Sequence, residues 1–311
     1  MTLRMKLLKA IRFLMLSGIV LLLSGCISES LDGCPLDILL RFTYKPQGSI
    51  VDLFGERVQR VTLCVYRTDG TIEHTQVLEK SDLNKLQGVE MYLPQGNYNV
   101  VLWANALDTN TKLAGFGSGE NISQLFASHP QAESSPEIPT LDRLLFVAAP
   151  LSVNENEPSG DRVVNFSPVT MRLNVVLDGV SVKPIVRIPG MASALQPKQD
   201  EETGAWKVQP VEQGKTFVPT VTYDATAKHA EAVTDVPRFK ADTPSTVELI
   251  DPNTGNLIVP AISIAELIRK YDIKLGEENE VTITIQISFG GGHAKITVKE
   301  WEHNPIHPGG L

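Results

Sequence analysis

From residue 36 onward, apolar residues recur mostly at every second position, the period of half-buried strands rather than of helices. Ile38 to Tyr44 is the first candidate strand, and Arg60 to Tyr66 follows with Val61, Leu63 and Val65 on one face. Asp69-Gly70 then turns the chain into Thr71–Leu78, a hairpin signature. Val89–Leu93 runs into Pro94-Gln95-Gly96-Asn97, where proline fixes φ and glycine permits positive φ, and Tyr98–Ala104 is the next strand. Alternation restarts at Met171, with Leu173, Val175 and Leu177. Val281, Ile283, Ile285, Ile287 and Phe289 alternate with Thr282, Thr284, Gln286 and Ser288, and Gly290-Gly291-Gly292 turns that strand into Lys295–Trp301. Antiparallel strands joined by short turns, without regular β-α alternation, predict a mainly β chain built as a β-sandwich.

Helical spacing is confined to short stretches, which predicts one or two short helices. Ser263-Ile264-Ala265-Glu266 has the form of a capping box, with Ile262 and Leu267 placed as its hydrophobic staple. Ile264, Leu267, Ile268 and Tyr271 share one helical face. A second candidate helix runs from Pro139 to Leu145. Ser128–Pro139 is rich in Pro, Ser and Glu and reads as a long loop, and Asn154–Asp161 is another polar interruption. A boundary near Ser167-Pro168 divides the body into an N-terminal domain over residues 36–167 and a C-terminal domain over 168–302, followed by a polar tail over 303–311. Each domain has a comfortable sandwich size.

Composition narrows the function. The chain has 311 residues, 42% of them hydrophobic, which is enough for real cores and excludes a largely disordered chain. The net charge of −8 leaves no basic excess to neutralise phosphates, so a nucleic-acid partner is not expected. The charge is also unevenly spread. Arg4, Lys6, Lys9 and Arg12 lie in the first 25 residues, which hold no acid, so the body behind them is more acidic than the whole. An acidic body behind a basic leader reads as an exported protein.

The leader itself is specific. After its four cations comes an apolar run from Phe13 to Leu23, eleven residues that are too short to cross a bilayer core of about 30 Å but fit a signal peptide. Leu23-Ser24-Gly25-Cys26 then resembles the lipobox of bacterial lipoproteins. That resemblance makes Leu23, Ser24 and Gly25 the signal-peptidase recognition residues and Cys26 the lipid-attachment site. It implies a signal peptide over residues 1–25, diacylglycerol on the Cys26 sulfur, an acyl chain on the new amine, and no other cofactor. Two or three acyl chains, at about 0.8 kcal/mol per buried methylene, hold a protein on a membrane stably. Residues 26–35 then form a lipidated tether, and its acidic positions resemble surface-export signals of some Gram-negative anaerobes.

Other candidate chemistry is sparse. Cys34 and Cys64 form a disulfide if the first two strands are neighbours, and are otherwise two inert thiols. His303 and His307 have i, i+4 spacing and His293 is a third candidate, but Pro305 opposes the helix that would align the pair, so no metal is expected. Asp251-Pro252-Asn253-Thr254-Gly255-Asn256 lacks the distal glutamate of a calcium loop and reads as a turn. Gly115-Phe116-Gly117-Ser118-Gly119 has no following lysine and reads as a loop. Glu201-Glu202 and Glu277-Glu278 sit in polar, turn-like surroundings and read as solvated surface. Trp103, Trp206 and Trp301 are either core residues or platforms for sugar rings. No nucleophile constellation or nucleotide fingerprint appears, so an enzyme and a small-molecule substrate are not expected.

Several segments together carry a family resemblance. They are the lipobox, Asp32-Gly33-Cys34-Pro35 leading into Leu39-Leu40-Arg41-Phe42-Thr43-Tyr44, the stretch Val58 to Tyr66 with its Asp-Gly turn, and Leu93-Pro94-Gln95-Gly96-Asn97-Tyr98 running on to Ala104. Their order and spacing resemble the fimbrium anchoring subunits of the FimB type from Gram-negative anaerobes, most closely over residues 26–104. The resemblance implies two tandem transthyretin-like antiparallel β-sandwich domains and no enzymatic activity. It also implies a lipid-anchored, surface-facing place in the outer membrane at the base of a fimbrium, whose length the protein influences. Its partners would be fimbrial pilin subunits, engaged by β-strand exchange. The alternative is a surface glycan-binding β-sandwich lipoprotein of a nutrient-uptake system.

Overall fold

The structure is a computed structural model and describes residues 35–300, apart from residues 48, 118, 156–161, 277 and 278. The first half contributes β1 (Leu36–Thr43), β2 (Arg60–Arg67), β3 (Ile72–Glu79), β4 (Gly88–Leu93) and β5 (Gly96–Ala104). Three short strands follow, β6 (Lys112–Ala114), β7 (Phe126–Ser128) and β8 (Glu137–Ile138), and then β9 (Leu145–Val153), β10 (Arg162–Asn165) and β11 (Ser167–Pro168). The second half holds β12 (Thr170–Asp178), β13 (Ile185–Gln199), β14 (Trp206–Phe217), β15 (Val221–Asp224) and β16 (His229–Pro237). It closes with β17 (Thr246–Ile250), β18 (Ile262–Ser263), β19 (Thr282–Gly290) and β20 (His293–Glu300). The helices are α1 (Phe54–Arg57), α2 (Lys80–Leu83) and α3 (Ile264–Lys270).

The chain is mainly β, as its alternation predicts. A three-stranded sheet in the order β10-β1-β4 packs on a five-stranded sheet in the order β11-β9-β5-β2-β3. Between them lies a core that includes Leu40, Phe42, Val61, Leu63, Leu102 and Phe166. In the second half the sheet β15-β16-β12-β19-β20 faces one ordered β18-β17-β13-β14-β8. Leu173, Val175, Val186, Ile283, Ile285 and Ile287 are among the residues of that second core. Val169 alone separates β11 from β12, so no linker intervenes where the chain passes between the sheets.

The turns follow their sequence signals. Gly290 pairs with His293, and Gly291 and Gly292 between them take φ values of 61° and 81°. That is the positive-φ, two-residue loop that suits strand twist. Gly70 turns β2 into β3 at φ 85°. The Pro94–Asn97 turn has a different job, because β4 and β5 belong to different sheets and the turn carries the chain across the sandwich.

Four expectations need correction. The pairing is not purely antiparallel: β1 lies parallel to β10, β12 to β19 and β14 to β8, because the sheets are closed by long crossovers as well as hairpins. There are three helices among the described residues rather than one or two, since α1 and α2 span four residues each, too few to show a helical period. Residues 139–144 are irregular, not helical. Their amides go outward to other segments, Leu141 to the Asp235 carbonyl at 2.8 Å, Asp142 to Thr111 Oγ1 at 2.9 Å and Leu144 to Thr170 Oγ1 at 3.0 Å. The long loop after Ser128 ends in β8, which pairs with β14 of the other half. For α3 the prediction holds in part: Ser263 Oγ accepts from the Glu266 amide at 3.3 Å, and Ile262 and Leu267 are both buried in the second core.

The main surprise is a third core. Cys64, Tyr66, Val101 and Trp103 lie on the outer face of the five-stranded sheet, yet they are fully buried. They are covered by Leu113, Ile122, Leu125 and Ala127 and by Leu195 from β13, with Trp206 and Val208 of β14 packed against the cluster. β13 reaches there because it bends. Its first residues pair with β17, the register then shifts around Pro189-Gly190, and Ala194 and Leu195 pair with β7. Proline and a glycine at φ 79° interrupt the ladder at the bend. One hairpin therefore lines the second core with its base and covers the first half's sheet with its arm.

Candidate functional site

Leu23, Ser24, Gly25, Cys26 and Cys34 lie outside the described residues, as do Trp301, His303, His307 and the Glu277-Glu278 pair. Cys64 is a free thiol, buried in the third core, and burial pushes its pKa up to about 12. β2 and β1 are not neighbours in a sheet, and Cys64 points away from the sheet that holds β1. The condition set for a Cys34–Cys64 bridge is therefore not met on the Cys64 side. Trp103 is core: its ring meets Phe146 edge-on at 4.9 Å. Trp206 packs against the same cluster and Tyr92 is the prominently exposed aromatic residue, at 70%. The Asp251 segment is a turn, closed by Asp251 N–H to the Asn256 carbonyl at 3.0 Å and Gly255 N–H to the Asp251 carbonyl at 2.8 Å. Glu201 and Glu202 are exposed at the tip of the β13–β14 hairpin. Among the described residues no group of three His, Cys, Asp or Glu converges, and no helix is long and apolar enough to cross a membrane.

Two features concentrate the polar chemistry. The first is the junction between the halves. Arg172 holds Asp235 with two bonds, at 3.0 and 2.7 Å, and Arg143 stands 3.7 Å from the same carboxylate. Arg143 also reaches Glu280 at 3.8 Å, and Arg57 reaches it at 3.6 Å. Tyr44, just after β1, donates to Glu280 at 3.1 Å. Burial and the neighbouring carboxylate push that hydroxyl well above the usual tyrosine range, so it stays a donor. Asn105 ties the first half's side together. Its amide donates to the carbonyls of Arg57 and Arg143 at 2.9 and 3.1 Å, and its oxygen accepts from the Gln59 amide at 2.8 Å. Asn105 sits at φ 65°, a conformation that a short polar side chain tolerates. Sequence spacing gave no signal for this cluster, because Tyr44 and Glu280 stand 236 positions apart.

The second feature is the set of sheet edges. Among the described residues, β3, β4, β10, β15 and β20 each pair with a strand on one side only. Unpaired edge amides and carbonyls are templates for an added strand, and proteins normally protect them. β4 leaves no apolar seam uncovered, because its core-facing Val89, Met91 and Leu93 are all buried. β3 turns polar His74 and Gln76 to the side where Val65 and Leu63 face the first core. β10 and β15 are only four residues long. β20 is eight residues long, and its core-facing Ile296 and Val298 are only partly buried.

Comparison with known proteins agrees with this architecture. The family model for Mfa2, the fimbrillin-A associated anchor proteins Mfa1 and Mfa2, matches residues 31–304. No curated protein matches the sequence. Among solved structures, the fimbrial anchor protein Mfa2 from Porphyromonas gingivalis superposes with a TM-score of 0.62 at 14% identity, over 86% of this chain and 98% of that one. A Bacteroides ovatus protein described provisionally as an adhesin gives 0.66 at 17% identity, over 90% and 100% of the two chains. A Bacteroides thetaiotaomicron structure described provisionally as polysaccharide binding gives 0.65 at 14%, over 87% and 99%. At these identities the likenesses show the fold.

Proposed function

Because this chain belongs to the fimbrillin-A associated anchor family, we propose that it is a lipid-anchored subunit that fastens a fimbrium to the outer membrane. The observation that carries this reading is the family match over residues 31–304, which begins five residues after the lipobox cysteine Cys26. In this reading Cys26 carries the lipid, and strand exchange with a pilin subunit joins the protein to the fibre and helps set its length. The protein works as a connector and turns over no substrate.

The chain path fits a connector. Cys26 precedes β1 by ten residues, so the start of β1 lies within about 35 Å of the lipid. β1 then runs away from the tether, and Tyr44 beyond its far end meets Glu280 of the second half. In this reading the first sandwich is membrane-proximal and the second stands beyond it. The glycan-binding alternative draws on the polysaccharide-binding description of one structural neighbour. It expects aromatic platforms at loop ends, where Tyr92 is exposed, whereas Trp103 is buried and Trp206 packs against the third core.

Deleting the gene should yield detached or abnormally long fimbriae by electron microscopy, and unchanged fimbriae would refute the anchoring role. Cys26→Ala should release the protein from the outer-membrane fraction, and its retention after a carbonate wash would refute the lipid anchor.

A further inference from the structure

β20 differs from the other open edges in what it leaves uncovered. It pairs with β19 from the Gly290–His293 turn up to Ile283–Glu300. In a hairpin closed by that two-residue loop, alternate pairs exchange backbone bonds. His293, Lys295, Thr297 and Lys299 bond to β19, and the amides of Ala294, Ile296 and Val298 point to the open side. The Ile296 carbonyl confirms this direction, because it accepts from the Tyr271 hydroxyl at 3.2 Å rather than from β19. The side chains of Ile296 and Val298 lie beside Ile287 and Ile285 on the core face. Ile285 and Ile287 are fully buried, whereas Ile296, Val298, Tyr271 and Leu275 pack on the core with one side still open. Among the described residues, a half-covered apolar seam thus runs along a strand with three unpaired amides, and an added strand would take the Ile296 carbonyl over from the Tyr271 hydroxyl.

The charge on the other face narrows the occupant. Lys295 and Lys299 point away from the core, opposite neutral Ser288 and Thr284, and the nearest carboxylate influence on them is that of Asp178 on Lys299. Two copies of β20 laid edge to edge would set lysine against lysine, which opposes self-pairing. The chain's own residues 301–311 are poorly suited, since Pro305 and Pro308 have no amide to give a ladder.

We propose that β20 is an acceptor edge for an extended strand of another polypeptide, with apolar side chains alternating with acidic ones. The apolar residues close over Ile296, Val298 and Tyr271, and the acidic ones lie beside Lys295 and Lys299. That the strand belongs to a fimbrial subunit rests on the anchoring reading; the edge and its preference do not.

The test uses the purified mature chain in detergent and two labelled ten-residue peptides, one alternating valine with glutamate and one alternating valine with lysine. The acidic peptide should bind saturably and at least about tenfold tighter than the basic one, about 1.4 kcal/mol. It should protect the Ala294, Ile296 and Val298 amides from hydrogen exchange. The double variant Lys295→Glu, Lys299→Glu should invert the preference without a change in melting. Val298→Pro, which removes an amide not bonded to β19, should abolish binding. No saturable binding, equal binding of both peptides, an unchanged preference in the double variant, or protection at another edge would each overturn the proposal. Failure here with detached fimbriae on gene deletion would remove only the edge. Capture of the acidic peptide with unchanged fimbriae would remove only the fimbrial reading.

Discussion

β5 and β12 each occupy the centre of a five-stranded sheet, and they are built differently. In β12, Leu173, Val175 and Leu177 are buried and alternate with half-exposed Arg172, Asn174 and Val176. In β5, every residue from Val100 to Ala104 is buried. Both strands bury one face in their own sandwich. β5 buries the other face as well, because the β13–β14 hairpin and the segment around β6 and β7 cover it. Water lies against one face of a sheet only where nothing else does, so a strand's pattern records its neighbours as much as its own propensity. The two sandwiches are therefore not equivalent modules in series. The first is clamped between its own second sheet and an arm of the other half.

The same substitution on the second face of each central strand tests this most strongly. Val101→Lys puts a charge into the third core, and a loss of several kcal/mol is expected, seen as a collapsed melting transition. Val176→Lys faces Glu231 and Gln286 on neighbouring strands, and its effect should stay within about 0.5 kcal/mol. Equal losses would show that β5 and β12 are covered alike. Next in size is Leu195→Ala, which truncates the arm's contribution to the third core. Urea unfolding should show a loss of about 2–5 kcal/mol, and the Ala127 amide on β7 should lose hydrogen-exchange protection.

Smaller effects are expected at the junction. Asp235→Asn weakens the paired bonds of Arg172 by about 1–3 kcal/mol, with the loss shrinking in high salt because Arg172 is partly exposed. At neutral pH the smallest effect is that of the Cys64 thiol, which acts only on the alkaline side. Its folded pKa of about 12 lies above the value of about 8.5 for an unfolded thiol, so the folded state holds that proton more tightly. The stability linked to it is fully present below about pH 8.5 and falls as the pH rises toward 12. Cys64→Val should remove that part of the alkaline decline, and an unchanged slope of stability against pH would show the thiol is not shielded.

Much of the second sandwich was legible because β12 and β19 keep solvent on one face and so retain a clean period of two. The hairpins at Gly70 and at Gly291-Gly292 were legible because positive φ demands particular residues. The β13–β14 hairpin was not, since Pro189, Gly190, Pro197, Pro210 and Gly214 read as breakers although the strands continue through them. Pro139–Leu145 misled because local spacing favours a helix, while its amides find partners in Thr111, Thr170 and Asp235. The junction pairs of Arg57, Arg143 and Arg172 had no local signal at all.

By itself the sequence determined the β character of the body and most turns, because each depends on residues close together in the chain. The tertiary structure alone decided that the outer face of β2 and β5 is a core, that Glu280 closes on Tyr44, and that β20 has no second partner strand among the described residues. Those outcomes depend on which distant segments exclude water from a surface, and alternation along one strand cannot say what lies opposite it.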